Sequence, residues 1–120
     1  MKFLWVTLSV SDIEESLKFY QEIVGLPVVR RFSGEGMGEI AFLGDGETKV
    51  ELIAHPSKPE NCYGKEMSIG FEVESVEQKI QFIREKGLPV ESGPFEPNPH
   101  VRFFFVKDPN GIRVQFVENR

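Results

Sequence analysis

The feature that most constrains this chain is that it repeats itself. VSDIEESLKFYQEIVGLPV, from Val10, superposes on VESVEQKIQFIREKGLPV, from Val73, with a single one-residue gap. Val10/Val73, Ile13/Val76, Leu17/Ile80 and Phe19/Phe82 share an offset of 63, and Gly25-Leu26-Pro27-Val28 then meets Gly87-Leu88-Pro89-Val90 at an offset of 62. The turns Gly44-Asp45-Gly46 and Asp108 to Gly111 also correspond, which sets Glu51 opposite Gln115. Self-similarity of this kind signals a duplicated supersecondary unit. Two copies usually pair about a pseudo-twofold axis, so residues matched across the repeat face each other over a shared concavity.

Each copy reads as βαβββ. In the first, Phe3 to Val10 is a strand, and a helix follows from about Asp12 to Val24. Asp12 caps it, Glu15 completes a capping box, and Gly25 stops it. Ile13, Leu17, Tyr20 and Val24 fall on one helical face. Leu26-Pro27-Val28-Val29 leads into a strand, and Ser33 to Gly38 is a glycine-rich connection. A phosphate cradle needs a helix after it, but a strand, Glu39 to Leu43, follows here, so the stretch reads as a loop or lid edge. Thr48 to Ala54 is the last strand, and 55–66 is a linker holding two prolines.

In the second copy Ile69 to Val73 is a strand, and Ser75 caps a helix that Gly87 ends. Gly93 to Pro99 is a proline-rich loop. Phe103 to Val106 and Ile112 to Val117 form a closing hairpin around Asp108-Pro109-Asn110-Gly111, a type I turn whose glycine takes the left-handed position. Its second strand puts Arg113, Gln115 and Val117 on one face and Ile112, Val114 and Phe116 on the other. One face belongs to a core; the polar one meets something else.

At 120 residues the chain is one domain with a sizeable core. A net charge of −5 argues against a nucleic-acid partner, which needs a basic patch. Cys62 is the sole cysteine, so no internal disulfide forms, and a reducing, cytoplasmic setting fits. FLWVTLSV is too short to span a membrane and lacks a signal-peptide cleavage pattern.

Val10-Ser11-Asp12-Ile13, Ser16 to Tyr20, Gly25-Leu26, Phe104-Phe105, Asp108 to Gly111 and Val114 to Glu118 together resemble the vicinal oxygen chelate superfamily. That superfamily includes glyoxalase I, bleomycin-resistance proteins, fosfomycin-resistance enzymes and extradiol dioxygenases. The resemblance covers the whole chain. It implies an α+β fold of two tandem βαβββ modules, about 1–60 and 61–120, whose curved mixed sheets surround a cleft. It also implies a homodimer. In metal-dependent members a His early on the first strand and a Glu late on the last, in each module, hold the ion. By position these fall on Trp5, Glu51, Ser68 and Gln115. An indole has only an N–H to donate, and a hydroxyl and a neutral amide are weak substitutes for imidazole and carboxylate. One carboxylate is too few for a zinc- or nickel-type site, so no metal and no other cofactor is expected. Gln115 also lacks a pKa suited to moving a proton beside a carbonyl.

The cleft is then lined by Trp5, Thr7, Glu51, Ile53, Ser68, Gly70, Arg113 and Gln115, with Phe104 from the Phe103–Phe105 run. An aromatic plate, one carboxylate and several hydrogen-bonding groups suit a planar or cationic organic ligand. Glu51 should face water, a ligand or Arg113, because burying it unpaired is costly. The function expected is metal-free small-molecule binding. One rival is a metal-dependent lyase, isomerase or dioxygenase with relocated ligands, Glu51 and His100 being its catalytic candidates. His55, four residues past Glu51, lies about 13 Å along a strand from it and is too far to share an ion. The other rival is a non-catalytic interaction subunit whose cleft its own side chains fill.

Overall fold

A computed structural model of the chain describes residues 1–34, 36, 38–54 and 67–120. The expectations for His55, Cys62 and the 55–66 linker lie outside these residues. The chain divides into two compact units, Met1–Cys62 and Tyr63–Arg120. Among the described residues no helix is long and apolar enough to cross a membrane.

The first unit runs β1 (Trp5–Ser9), α1 (Ile13–Lys18) continued by a π-helical segment (Phe19–Val24), β2 (Val28–Gly34), β3 (Gly38–Leu43) and β4 (Lys49–Ala54). Its strands lie in the order β1-β4-β3-β2. The parallel pair β1–β4 is made possible by the helical crossover, and antiparallel hairpins supply the rest. Asp12 caps α1, its Oδ1 accepting from the backbone N–H of Glu14 and Glu15 at 3.0 and 3.2 Å. The row Leu8, Leu52, Ala41, Arg31 crosses the sheet on the helix side. Its first three members are fully buried, and Arg31 reaches Glu14 of α1 and Glu39 of β3. Ile13, Leu17 and Tyr20 are buried as their spacing requires, but Ile23 rather than Val24 takes the last buried place. Both residues neighbour Tyr20 on a helix surface, so spacing alone does not separate them.

The second unit repeats the plan: β5 (Ser68–Glu72), α2 (Val76–Glu85), β6 (Ser92–Asn98), β7 (Val101–Lys107) and β8 (Arg113–Asn119), in the order β5-β8-β7-β6. Ser75 Oγ accepts from Gln78 N–H at 3.2 Å to start α2. Phe104, Val106, Val114 and Phe116 are fully buried beneath that helix, with the Lys79 ammonium 5.0 Å from the Phe116 ring centroid. Burial lowers the pKa of Lys79. Asp108 secures the β7–β8 turn by accepting from Asn110 and Ile112 N–H at 2.8 Å each, and Gly111 has φ +86°.

Two expectations are corrected. Gly93 to Pro99 is not a loop, because most of it is strand β6. Prolines are tolerated there since β6 is the sheet edge and pairs β7 with two register shifts, so few ladder N–H groups are required. The Ser33 to Gly38 connection is likewise shorter than expected: Ser33 and Gly34 belong to β2 and Gly38 opens β3, with Gly36 in a turn at φ +74°.

Register confirms how the copies correspond. Trp5 pairs with Lys49 and Thr7 with Glu51 in one sheet; Ser68 pairs with Arg113 and Gly70 with Gln115 in the other.

Candidate functional site

In the first unit, side chains on the face turned away from α1 come from alternate residues of each strand. One row runs Thr7, Glu51, Phe42, Arg30, flanked by Trp5 and Lys49 on one side and by Ile53, Ile40 and Phe32 on the other. Thr7 Oγ1 donates to Glu51 Oε1 at 2.6 Å. Glu51 is half-buried and has no other hydrogen bond among the described residues. The Trp5 ring, 46% exposed, meets Phe42 edge-on at 5.2 Å. Phe42 stacks with Phe32 at 6.5 Å, and the Arg30 guanidinium lies 4.7 Å from the Phe32 centroid. This face therefore joins an aromatic surface to a carboxylate with acceptor capacity to spare.

In the second unit the corresponding face carries the rows Ser68, Arg113, Lys107 and Gly70, Gln115, Phe105, Ser92. Gly70 clears space for the amide: a Cβ there would stand 3.2 Å from Gln115 Oε1. Phe95, Phe103 and Phe105 form a triangle with centroids 5.5 to 6.4 Å apart. Arg113 lies over Phe105, its Cζ 3.9 Å from the centroid, and its Nε donates to Glu91 Oε2 at 3.0 Å. That bond, with lesser help from Ser92 and Lys107, holds the Glu91 carboxyl below its ordinary pKa.

Trp5, Thr7 and Glu51 thus share one face of the first sheet, and Ser68, Arg113 and Gln115 share one face of the second. Phe104 does not belong with them. It is fully buried on the opposite face against Phe116, at 5.4 Å between centroids, because strand alternation turns Phe103 and Phe105 outward and Phe104 inward. Arg113 pairs with Glu91, a residue the sequence reading passed over. His100 sits at the start of β7, where its carbonyl accepts from Arg120 N–H at 2.8 Å. Arg120 lies five residues beyond Gln115, so His100 is about 17 Å along the sheet from the Gln115 row. Phe42, Phe32 and Phe95 were missed too; alternation along β2 and β3 selects Phe32 and Phe42, whereas Phe95 lies in the stretch whose prolines read as a loop.

A family model described as Glyoxalase/Bleomycin resistance protein/Dioxygenase superfamily matches residues 2–116. The chain belongs to this superfamily. It is 32% identical over 131 residues to a lactoylglutathione lyase of Neisseria meningitidis, spanning 100% of this chain and 92% of that one. Among solved structures, glyoxalase I of Leishmania major superposes with TM-score 0.85 at 24% identity, covering 98% of this chain and 86% of that one. TnmS3, an antibiotic binding protein from Streptomyces sp. CB03234, superposes with TM-score 0.80 at 21% identity, covering 100% and 97%. These superpositions establish the fold as α+β, two tandem modules each with a four-stranded mixed sheet and a helix.

The four positions singled out from the sequence, Trp5, Glu51, Ser68 and Gln115, make a poor donor set for a metal ion. Trp5 has no lone pair to offer, Ser68 and Gln115 are neutral, and only Glu51 is a carboxylate. Among the described residues no three His, Cys, Asp or Glu side chains gather to replace them. Among the described residues, these four positions offer one carboxylate and no imidazole, a set that does not suit a divalent ion.

Proposed function

We propose that this glyoxalase/bleomycin-resistance superfamily member binds a small, planar organic molecule without a metal ion. The observation that supports the reading is that Trp5, Ser68 and Gln115, none of them a good metal ligand, stand on sheet faces that carry aromatic surfaces. A half-exposed indole set edge-on to Phe42 offers a stacking plate, a contact worth about 0.5–1.5 kcal/mol. The free acceptor capacity of Glu51 favours a ligand that brings a donor or a positive charge to that plate. The superfamily neighbour described as an antibiotic binding protein is in keeping with a sequestering role. A homodimer is part of the proposal.

Trp5 is the sole tryptophan, so its fluorescence reports directly. Titration with a panel of planar organic molecules should quench it saturably, with the same affinity before and after EDTA. A stoichiometric metal that survives dialysis, or silence across the panel, would overturn the proposal. The competing reading is a metal-dependent lyase with relocated ligands, favoured by the relatives named lactoylglutathione lyase. It predicts chelator-sensitive turnover of a hemithioacetal, with Glu51→Gln abolishing it.

A further inference from the structure

In the second sheet the row that holds Ser68 is a row of hydrogen-bond donors. Ser68, Arg113 and Lys107 are register partners across β5, β8 and β7, on the face turned away from α2. Arg113 is held from two sides: its Cζ lies over the Phe105 ring, and its Nε is tied to Glu91. Among the described residues its two terminal nitrogens make no hydrogen bond, and neither does the Lys107 ammonium or the Ser68 hydroxyl. Among the described residues, Arg113 and Lys107 set two cations against the one carboxylate of Glu91, in a chain whose net charge is −5. A guanidinium fixed through Nε and stacking presents its outer edge as a planar fork, the geometry that receives a carboxylate. Beside it stand the half-buried Gln115 amide and the apolar triangle of Phe95, Phe103 and Phe105.

We propose that Arg113, with Ser68 and Lys107, forms an anion subsite that binds the carboxylate of an organic acid whose ring system lies against the neighbouring phenylalanines. The subsite rests on the small-molecule-binding reading and deepens it, since it names the charge of the group bound on the second sheet's own face. Glu91 both orients Arg113 and competes for it. Removing that negative charge while keeping an acceptor therefore strengthens the subsite.

The test compares 2-naphthoate with its neutral isostere 2-naphthamide by calorimetry on the whole chain. Wild-type protein should bind naphthoate about tenfold more tightly than naphthamide, with affinity falling as salt is added. Arg113→Gln should bring that ratio to about one. Glu91→Gln, which leaves Arg113 in place, should raise naphthoate affinity about threefold; it carries the test if Arg113→Gln fails to fold. Equal affinities for the two probes, or no gain in Glu91→Gln, would overturn the subsite while leaving small-molecule binding intact. Binding of neither probe also overturns it. Trp5 quenching by other planar molecules then decides the broader reading separately.

Discussion

The two units are copies in topology and register but not in chemistry. At matched positions the first has a hydroxyl donating to a carboxylate, Thr7 to Glu51, where the second has an amide lying over a bare backbone, Gln115 over Gly70. The first pairs its aromatic surface with a carboxylate whose only hydrogen bond among the described residues is from Thr7; the second pairs its phenylalanines with a braced guanidinium. Duplication preserved what the fold needs, namely the buried rows Leu8–Leu52–Ala41 and Phe116–Phe104. It left the outward rows free to diverge, because side chains on the face away from the helix are not held by the packing between helix and sheet.

The units also differ in their helices. Between Tyr20 and Gly25 the first copy has Gln21 to Val24, whereas between Ile83 and Gly87 the second has only Arg84 to Lys86. This is the one-residue gap of the repeat, and the structure accommodates it as the π-helical segment Phe19–Val24. The closing bond is conserved across the difference: Leu26 N–H donates to the Tyr20 carbonyl at 2.9 Å, and Leu88 N–H to the Ile83 carbonyl at 3.1 Å. An inserted residue has been absorbed as a wider turn rather than passed on as a rotated helix face.

The division between inward and outward rows is tested most severely at adjacent phenylalanines. Phe104→Ala should cost about 3–5 kcal/mol in urea unfolding and Phe103→Ala under about 1.5 kcal/mol; similar losses would erase the distinction between the faces. The helices offer the next test. Deleting Gln21 should let the first helix wind as the second does, changing stability by about 1 kcal/mol or less. Deleting Arg84 from the uninterrupted α2 should cost on the order of 3 kcal/mol by turning buried side chains out of register. Equal costs would mean the π segment is not an absorbed insertion. At the diverged outward positions Thr7→Val should lose about 0.5–1.5 kcal/mol with the hydrogen bond to Glu51. Gly70→Ala should stay within about 0.5 kcal/mol, since only the end of Gln115 must move.

The smallest expected effect concerns pH. Arg113 lowers the folded-state pKa of Glu91, so the pair's stabilisation is present above the carboxylate's unfolded pKa and fades as pH falls through the lower folded value. Glu91→Gln should therefore flatten the acid limb of the stability profile slightly, as read by thermal melts from neutral pH downward. Glu118 behaves in the same sense through Arg120 and the Val76 N–H at the start of α2, and it supplies an internal comparison.

By itself the sequence determined the repeat, the caps and the element order apart from β6. It also determined which residues of β1, β4, β5 and β8 share a face, because two-residue alternation and helix-end chemistry are local properties. That alternation already turns Phe104 away from Phe103 and Phe105. The sequence reading misplaced it because it treated the Phe run as a single feature. Tertiary pairing decided the rest. The prolines of Gly93 to Pro99 look like a loop until β6 is known to be an edge, where missing N–H donors cost little. The Arg113–Glu91 contact spans 22 residues and exists because β8 and the start of β6 flank β7 in one sheet. Contacts of that kind depend on which strands become neighbours, and that is set by burial summed over the whole unit rather than by any residue's own preference.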